Sequence, residues 1–257
     1  MSLSIGIVGL PNVGKSTLFK ALTKKQVHIA DYPFTTIEPN VAIVPVPDEN
    51  LEKLVSILKP EKITPSTIEY IDIAGLVKEA HLGKGLGNQF LAKIREVDLL
   101  VEVVRNFRDE TIAHIEGSVD PQRDIKIIED ELKEANINKP IVYLFNSDNR
   151  IFMIEKKPVS LDEIISLCYR TLDLITFYTI KGGKEARATK IKRNTNILDA
   201  AEKIHSDFKE KFIKAEVISC DDLIGAGSWQ RAREKGLIRT EGKDYIVQAG
   251  DVIEFKI

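Results

Sequence analysis

Residues 9–17 constrain the fold more than any other stretch, because they read GLPNVGKST and match the pattern G-x-x-x-x-G-K-[ST] at every fixed position. Residues 3–8 before them are mostly apolar and predict a buried strand. Residues 17–23 after them place leucine and alanine on one face of a predicted helix. A strand, a glycine-containing loop and a helix in this order predict an α/β domain with a mainly parallel sheet that binds nucleotide phosphates.

The residue types in this loop suit the binding of a triphosphate. Gly9 and Gly14 allow the backbone N–H groups to point inward, and the N-terminus of the following helix adds a positive dipole end. Lys15 is expected to contact the β- and γ-phosphates, and the hydroxyl of Ser16 is expected to bind Mg²⁺. The alternative, a chance match in a glycine-rich turn, is disfavoured by the flanking strand and helix.

Composition narrows the classes of protein to be considered. A chain of 257 residues with 43% hydrophobic residues is long and apolar enough for one large domain or two ordinary ones. A net charge of −2 excludes a globally basic nucleic-acid binder but allows a local basic patch. Cys168 and Cys220 lack metal-ligand spacing and predict reduced thiols in a cytosolic protein. The N-terminus lacks the basic region of a signal peptide, and no apolar run approaches the roughly 18 residues that span a membrane.

Two later segments predict a switch that responds to the γ-phosphate. Residues 31–40 contain two prolines and two threonines and predict an ordered loop, in which Thr36 is the candidate to complete the Mg²⁺ shell. The alternative is that the threonines only cap a turn. Residues 67–75 predict a strand ending in D-x-x-G, where Asp72 would hold a Mg²⁺-bound water and the Gly75 N–H would bond the γ-phosphate.

The group that would orient the attacking water departs from the usual GTPase pattern. Leu76 follows Gly75 at the position where many GTPases have a glutamine, and a leucine side chain cannot hydrogen-bond to water. Hydrolysis therefore needs another group or a monovalent cation, or it is slow. His114, in a predicted loop, is a candidate for that group, while a solvated or structural histidine is the alternative. The glycine-rich residues 75–87 are expected to form a second switch.

The base-reading position also departs from the guanine pattern. Residues 140–146 predict a strand that ends at Asn146, where the asparagine of an N-K-x-D motif would contact the base. The fourth position is Asn149 instead of a carboxylate, and the carboxylate is the group that accepts the two N–H donors of guanine. The residues therefore leave open whether the base is adenine or guanine.

Strand and turn signals take over in the last third of the chain. After a predicted linker, a helix over residues 161–174 carries an apolar stripe. A hairpin around Gly182 and Gly183, a helix at residues 196–205 and two final strands then follow the pattern of a β-grasp module. The predicted parts are a nucleotide-binding domain, a linker with a packing helix, and a β-grasp domain, at residues 1–150, 151–171 and 172–257.

The predicted hairpin carries a local excess of positive charge. Glu185 is the only acidic residue between positions 181 and 193. The basic residues in that stretch are Lys181, Lys184, Arg187, Lys190, Lys192 and Arg193. Such a patch suits the phosphate backbone of RNA, and a solvated hairpin face is an equally good interpretation.

Five segments together resemble the YchF branch of the OBG-type GTPases over nearly the whole chain. They read GLPNVGKST, DYPFTTIEPN, DIAGLV, GLGNQFL and HIEGSVDP. The resemblance implies that the phosphates are held by Asn12, Val13, Gly14, Lys15, Ser16 and Thr17, and that Ser16 and Thr36 bind Mg²⁺. It places the family's loop histidine on His114 and matches Asn12 to an asparagine that helps related GTPases bind K⁺. Members of the branch favour ATP, read the base with N-x-x-E and carry a hydrophobic residue in place of the catalytic glutamine.

The resemblance also implies partners, and it shows what this chain lacks. Family members associate with ribosomes, which implies a cytoplasmic protein that contacts the large subunit and ribosomal RNA, and the C-terminal module resembles a TGS domain. No membrane contact is expected, and we expect a monomer. The family's helical coiled-coil arm has no counterpart, because the helix that ends near residue 138 runs directly into the strand at residue 140. A second stretch is missing after Asn149, which also replaces the family's glutamate.

These observations predict an Mg²⁺-dependent ATP or GTP hydrolase that reports its nucleotide state to the ribosome. Lys15 and the loop amides would stabilise the charge on the transferred phosphoryl group. A nucleotide-gated RNA-binding module with negligible hydrolysis is the main alternative. A degenerate relative that has lost nucleotide binding is disfavoured by the intact loop.

Overall fold

The computed structural model of the chain describes residues 3–26, 40–73, 86–148, 151–181 and 184–257, and the side chains of residues 86–89 and 181 are not described. The first elements along the chain are β1 (Ser4–Val8), α1 (Lys15–Thr23), β2 (Val41–Pro45), α2 (Glu49–Leu58), β3 (Lys62–Thr64), β4 (Thr67–Asp72), α3 (Leu86–Glu96), β5 (Leu99–Arg105), α4 (Pro121–Glu134) and β6 (Ile141–Ser147). The later elements are β7 (Ile151–Ile154), β8 (Lys157–Pro158), α5 (Leu161–Thr171), β9 (Leu174–Lys181), β10 (Glu185–Lys192), α6 (Ile197–Ile204), α7 (Ser206–Glu210), β11 (Lys214–Ser219), α8 (Cys220–Ala226), α9 (Trp229–Glu234), β12 (Arg239–Glu241) and β13 (Asp251–Lys256). They form two units, Met1–Pro45 with Thr67–Cys168, and Val46–Ser66 with Tyr169–Ile257.

Within the described residues, the first unit contains a seven-stranded sheet in the order β2-β4-β1-β5-β6-β7-β8. Strands β4, β1, β5 and β6 are parallel neighbours, whereas β2, β7 and β8 join antiparallel at the two edges. The sheet is therefore mixed, and the expectation of a mainly parallel sheet holds only for its centre. The central strands β1 and β5 are buried along their whole lengths, which explains their largely apolar sequences.

The stretch that the sequence assigned to a linker begins with a short hairpin of β7 and β8. Glu155 and Lys156 at its tip have φ of 48° and 66°, and left-handed torsions at both central residues are the signature of a type I′ turn. β7 extends the sheet by pairing with β6, and the side chain of Phe152 is buried. Because the turn lacks the usual asparagine and glycine, the sequence carried no strong hairpin signal there.

The ends of α4 follow from local chemistry. Asp120 caps the helix by accepting hydrogen bonds from the N–H groups of Gln122 and Arg123, and Pro121 occupies the first turn. After the helix, Asn136 adopts a left-handed φ of 53°, and β6 begins soon afterwards. This short connection agrees with the predicted absence of an inserted arm. Across the helices that the structure describes, none is both long enough and apolar enough to cross a membrane.

Within the described residues, the second unit contains a six-stranded sheet in the order β12-β11-β13-β9-β10-β3. The predicted hairpin is confirmed as β9 and β10, and the final strand β13 lies parallel to β9. Residues 245–247 were predicted as a strand, but they contribute only a bridge between Ile246 and Asn196. The sheet partner of β13 on its other side is β11.

Residues 46–66 belong to the second unit, although the sequence placed them in a nucleotide-binding domain at residues 1–150. Helix α2 is amphipathic, and its Leu51 and Leu54 share a core cluster with Leu223 of α8. Strand β3 pairs in parallel with β10. The sequence of an amphipathic helix does not show which sheet will cover its apolar face. No local pattern therefore indicated that residues 46–66 belong to a different unit from β2 and β4, the strands on either side.

Candidate nucleotide-binding site

The phosphate loop joins β1 to α1, and its bend depends on two glycines with positive φ. Gly9 has a φ of 147°, and a Cβ added there would lie 2.5 Å from the carbonyl oxygen of Val103. Gly14 has a φ of 107°, and a Cβ added there would lie 2.2 Å from the side-chain nitrogen of Asn146. A side chain at either position would therefore meet both a strained torsion and a close neighbour. The fold of the loop requires glycine at these two positions of the motif.

Lys15 is buried inside the loop, where its Nζ donates hydrogen bonds of 2.9 Å and 2.8 Å to the carbonyl oxygens of Gly9 and Leu10. Burial lowers the pKa of the Lys15 ammonium to about 8, and the charge of Asp72 partly opposes this shift. Burial likewise raises the pKa of Asp72, and the charge of Lys15 opposes that shift. Each group therefore favours the ionised form of the other, which holds a positive charge where phosphate is expected.

A cavity of about 610 Å³ opens beside the loop within the first unit. Part of its lining is the phosphate loop, namely Asn12 and residues 14–17, with the side chains of Ser16 and Thr17 exposed in the first turn of α1. The rest of its lining consists of Phe107, Arg108, Asp109, Ile112, Asn146, Ser147 and Asp148. The cavity therefore joins the phosphate-binding backbone to the segment where the base-reading motif was predicted.

Asn146 connects these two parts of the lining. Its side chain is 2% exposed, and its Nδ2 donates a 2.9 Å hydrogen bond to the carbonyl oxygen of Val13. Its own carbonyl oxygen accepts a 2.8 Å bond from the N–H of Asn106. Among the described residues, the buried Oδ1 of Asn146 has no hydrogen-bond partner. The side chain thus braces the phosphate loop and keeps one acceptor that a ligand N–H could satisfy.

Arg105, which no sequence motif indicated, organises the residues that follow β5. Its buried guanidinium donates to the carbonyl oxygens of Phe107, Asp109 and Ile112 at 3.2, 3.1 and 3.0 Å, and to that of Ala113 at 3.5 Å. The guanidinium carbon also lies 4.5 Å from the ring centre of Phe107. The only available signal was an arginine at the end of a largely apolar strand, because a buried guanidinium needs several acceptors.

Asn12 links the phosphate loop to the same residues. It has a left-handed φ of 63°, and its Nδ2 donates a 3.2 Å hydrogen bond to the carbonyl oxygen of Ala113. Arg105 donates to that same carbonyl. The two loops that border the cavity are therefore joined by a direct contact.

His114 follows in this second loop but is not among the residues that line the cavity. Its side chain is 4% exposed, its Nε2 lies 2.8 Å from Oδ2 of Asp124, and its Nδ1 accepts a 3.1 Å bond from the N–H of Glu116. Because Nδ1 is an acceptor, the ring proton is assigned to Nε2, which donates to Asp124. Oδ1 of Asp124 also accepts a 2.8 Å bond from Arg123. A direct role of His114 in hydrolysis would require the ring to leave this position.

Glu102 is a buried carboxyl group in the middle of β5. Burial raises its pKa to about 9, and the charges of Glu129 and Asp124 reinforce the shift. Its Oε2 has no hydrogen-bond partner among the residues that the structure describes. The carboxyl group is therefore protonated at neutral pH, since an unpaired buried charge would be costly.

Several predicted site residues lie outside the described part of the chain, namely Thr36, Gly75, Leu76 and Asn149. Asp72 is described and ends β4, which is the neighbour of β1 in the sheet. In the ranges that are described, no group of three or more His, Cys, Asp or Glu side chains could hold a metal ion. The predicted Mg²⁺ site does not need such a group. Its direct ligands would be the hydroxyl groups of Ser16 and Thr36, and Asp72 would hold a Mg²⁺-bound water.

The predicted basic patch on the hairpin of the second unit is partly paired. Arg187 forms a 3.1 Å ion pair with Glu185, and Arg193 forms one of 2.9 Å with Asp173. The Nζ of Lys192 donates to a backbone carbonyl oxygen at 2.6 Å. Two acidic residues therefore offset part of the positive charge that the sequence alone suggested.

The parallel strands with a phosphate loop between β1 and α1 define a P-loop nucleoside triphosphatase with a GTPase-type domain. The family model described as 50S ribosome-binding GTPase matches residues 4–147, and the model YchF-GTPase_C, described as a protein of unknown function (DUF933), matches residues 174–257. The Ribosome-binding ATPase YchF of Mycoplasma genitalium is 38% identical, with 99% of both chains covered. This chain belongs to the YchF family, which confirms the resemblance seen in the sequence.

Other members of the family match over similar lengths. The Ribosome-binding ATPase YchF of Bacillus subtilis is 34% identical, with 100% of this chain and 99% of the relative covered. The structure of the Schizosaccharomyces pombe YchF GTPase superposes with a TM-score of 0.83 at 30% identity and covers 99% of this chain and 98% of that one. The alignment with the Mycoplasma relative runs over 363 residues, which exceeds the 257 residues here by 106. The relative therefore contains internal segments without a counterpart in this chain.

Proposed function

We propose that this chain is an Mg²⁺-dependent nucleotide hydrolase that binds ribosomes and acts as a nucleotide-state switch in translation or a stress response. The observation that carries the proposal is the buried ammonium group of Lys15, held inside a loop whose shape depends on Gly9 and Gly14. Two carbonyl groups of the loop bind Nζ here, and phosphate oxygens would replace them. The relatives carry the name ribosome-binding ATPase, which supports the same activity and partner.

Lys15 is proposed to stabilise negative charge on the transferred phosphoryl group together with the loop amides. The ammonium must be charged for this role, and its pKa is lowered to about 8. Nucleotide affinity is therefore expected to fall as the pH rises above about 8, because a growing fraction of Lys15 is then neutral before binding. Binding in that range would take up protons, which calorimetry in two buffers of different ionisation enthalpy measures.

Oxygen ligands of the kind that Mg²⁺ prefers are available beside the phosphate loop. The hydroxyl of Ser16 is exposed in the first turn of α1 and lines the cavity. Asp72 ends the neighbouring strand β4, and its charge interacts with that of Lys15. We assign Ser16 and Thr36 as direct ligands, with Asp72 holding a bound water. When bound, Mg²⁺ would neutralise charge on the β- and γ-phosphates.

Residues 31–40 and 75–87 are proposed as the two switches, and the Gly75 N–H as a donor to the γ-phosphate. These assignments are supported by the D-x-x-G motif that begins at the end of β4 and by the two threonines in the sequence before β2. Loss of the γ-phosphate would release both segments, and the affinity for the ribosome would change as a result.

The proposed route to hydrolysis does not use a glutamine, because Leu76 occupies that position. His114 is proposed to take part after its ring leaves Asp124, and Asn12 is proposed to help bind K⁺ as a further source of positive charge. Release of the His114 ring from Asp124 needs an external trigger, so turnover is expected to be slow until a ribosome is bound.

ATP is the proposed substrate, with GTP as the alternative. The unsatisfied Oδ1 of Asn146 could accept an N–H from either adenine or guanine, so the preference for ATP does not rest on it. Asn149 lacks the carboxylate that would favour guanine, and the curated relatives are named ATPases.

The second unit is proposed to be a TGS-type β-grasp domain that contacts ribosomal RNA on the large subunit. The β9–β10 hairpin, the following helix α6 and the parallel pairing of β13 with β9 support this assignment. We propose that this domain starts near residue 172. We also assign residues 46–66 to it, because they form one compact unit with residues 169–257. The proposal also implies a monomer in the cytoplasm.

Lys15→Ala tests the proposed nucleotide site, with Lys20→Ala as the matched control because Lys20 is exposed on the same helix. We expect the wild type and Lys20→Ala to bind ATP or GTP in the presence of Mg²⁺, and Lys15→Ala to bind about tenfold to hundredfold more weakly. Titration calorimetry measures the affinities, and competition between ATP and GTP measures the base preference. The proposal fails if the wild type binds neither nucleotide or if Lys15→Ala hydrolyses at the wild-type rate.

A nucleotide-gated module with negligible hydrolysis is the second candidate, and the buried position of His114 favours it. Its ring nitrogens are both occupied by Asp124 and Glu116, so no free base faces the cavity from this residue. Single-turnover hydrolysis at saturating ATP and GTP, with and without K⁺ and ribosomes, separates the two candidates. No turnover under any of these conditions, together with nucleotide-dependent ribosome binding, would favour the module.

A further inference from the structure

We propose that Arg105 is a positioning residue for the base side of this site, because its buried guanidinium shapes residues 107–112 into the wall against which the nucleoside binds. The inference rests on the proposed nucleotide binding and adds a residue that does not line the cavity itself. Phe107, Asp109 and Ile112 do line the cavity, and their carbonyl oxygens are the ones that Arg105 binds.

Arg105 lies where the chain leaves the sheet beside the base-reading segment. It ends β5 and lies opposite Asn146 in the parallel pairing with β6. The next residue, Asn106, donates its N–H to the carbonyl oxygen of Asn146 at 2.8 Å and its side-chain amide to Oγ of Ser147 at 3.1 Å. The end of β5 is therefore fixed against β6. The path of the chain after residue 106 then determines one side of the cavity.

The backbone turn after residue 106 is held by several carbonyl groups that bind the guanidinium of Arg105. The carbonyl oxygens of Phe107, Asp109 and Ile112 accept hydrogen bonds of 3.2, 3.1 and 3.0 Å from the guanidinium. A guanidinium carries five N–H donors in a rigid plane, so it can bind acceptors that lie in different directions. A lysine ammonium is a single point and cannot reach all of them at once. The ring of Phe107, 4.5 Å from the guanidinium carbon, is held over the same group.

The hydrogen bonds within the wall, residues 107–112, join neighbouring residues and do not fix the position of the wall relative to the sheet. The N–H of Ile112 donates to the carbonyl oxygen of Asp109 at 3.3 Å, and Thr111 bonds the Asp109 carboxylate through its N–H and hydroxyl. Residues 108–111 are exposed, so they have little side-chain packing to hold them. The buried guanidinium, at the end of β5, therefore ties the backbone of this turn to the sheet.

Arg105→Lys tests the inference because it keeps the positive charge and removes the planar set of donors. Arg95→Lys is the matched control, since Arg95 donates to one backbone carbonyl from an exposed position on α3 and does not line the cavity. Affinities for ATP, GTP and inorganic tripolyphosphate are measured with Mg²⁺ by calorimetry. Hydrogen exchange of the Thr111 and Ile112 amides is measured on the same proteins without ligand.

We expect Arg105→Lys to bind ATP and GTP about tenfold more weakly or worse, while its affinity for tripolyphosphate stays within about twofold. We also expect faster exchange of the two amides, with no change in β1 or α1, and wild-type behaviour of Arg95→Lys. Equal losses for all three ligands would indicate general damage and overturn the inference, as would unchanged ATP affinity or unchanged exchange. If the wild type binds none of the ligands, the proposed function fails, and the exchange experiment still decides whether Arg105 shapes the wall.

Discussion

The phosphate loop at residues 9–17 and the loop at residues 106–118 border the same cavity, but they hold their shapes in different ways. The first is bent by backbone torsions that only glycine adopts easily, and it approaches β5 and β6 too closely for a side chain. The second is held from inside by two buried polar side chains, Arg105 and His114, which bind its backbone and the start of α4. One loop is therefore shaped by backbone torsions and by close packing against distant strands, and the other by buried side chains that bind backbone and side-chain groups a few positions away in the chain.

This difference predicts how each loop responds to substitution. At Gly9 and Gly14 of the phosphate loop, adding atoms is harmful because a Cβ would meet a close neighbour. In the loop after β5, removing donors or acceptors is harmful because buried partners lose their hydrogen bonds. Exposed positions of the second loop should tolerate change, since its shape does not depend on them.

Gly9→Ala should have the largest effect. Its added Cβ would lie 2.5 Å from the carbonyl oxygen of Val103, a backbone atom inside the central sheet, and its φ of 147° is unfavourable for alanine. We expect a loss of about 3 kcal/mol or more in the free energy of unfolding, measured by urea denaturation. Gly117→Ala is the matched control from the second loop, because its φ is 75° but no atom of the described residues lies within 4 Å of the added Cβ. That variant should lose about 1 kcal/mol, and equal losses would contradict the role of close packing.

Glu102→Gln tests whether the buried carboxyl group in the middle of β5, the strand that leads into the second loop, is neutral. Its pKa in the folded protein is raised to about 9 from 4.5, so between these values the folded state keeps a proton that the unfolded state has released. The wild type should therefore lose stability as the pH rises, by up to about 1.4 kcal/mol per pH unit. Glutamine does not titrate, so this slope should be absent from the variant. Parallel urea-denaturation profiles for the two proteins between about pH 6 and pH 8 would contradict the assignment.

Asp124→Asn removes the carboxylate that accepts hydrogen bonds from His114 and Arg123. One oxygen becomes an N–H donor that faces other donors, so we expect a loss of about 2 kcal/mol in unfolding free energy. Asp130→Asn on the exposed face of the same helix is the control and should change stability by less than about 0.5 kcal/mol. If the two variants are equally stable, the buried pair does not hold the second loop.

Thr111→Val should have the smallest effect. It removes the 2.6 Å hydrogen bond from the Thr111 hydroxyl to the carboxylate of Asp109, but both residues are exposed and the side-chain shape is kept. We expect a change of less than about 0.5 kcal/mol by urea denaturation. A loss larger than that of Asp124→Asn would mean that surface bonds, and not the buried groups, hold the loop.

Local patterns predicted well those features whose causes are local. The phosphate loop, the strand and helix around it, the strand ending at Asp72 and the β9–β10 hairpin all follow from short runs of residues. The hairpin of β7 and β8 was missed because its turn lacks glycine. The sequence did not indicate that residues 46–66 cluster with the second unit, because the pairing of β3 with β10 joins positions far apart in the chain.

By itself, the sequence predicted a phosphate-binding loop between β1 and α1, because glycine torsions and a lysine at fixed spacing act within one turn of the chain. It also determined the family. Only the tertiary structure decided that Arg105 binds several carbonyl groups of the following loop and that His114 is buried against Asp124. Those roles depend on which carbonyl and carboxylate groups come within about 3 Å of a side chain after folding, and no spacing in the sequence encodes that distance.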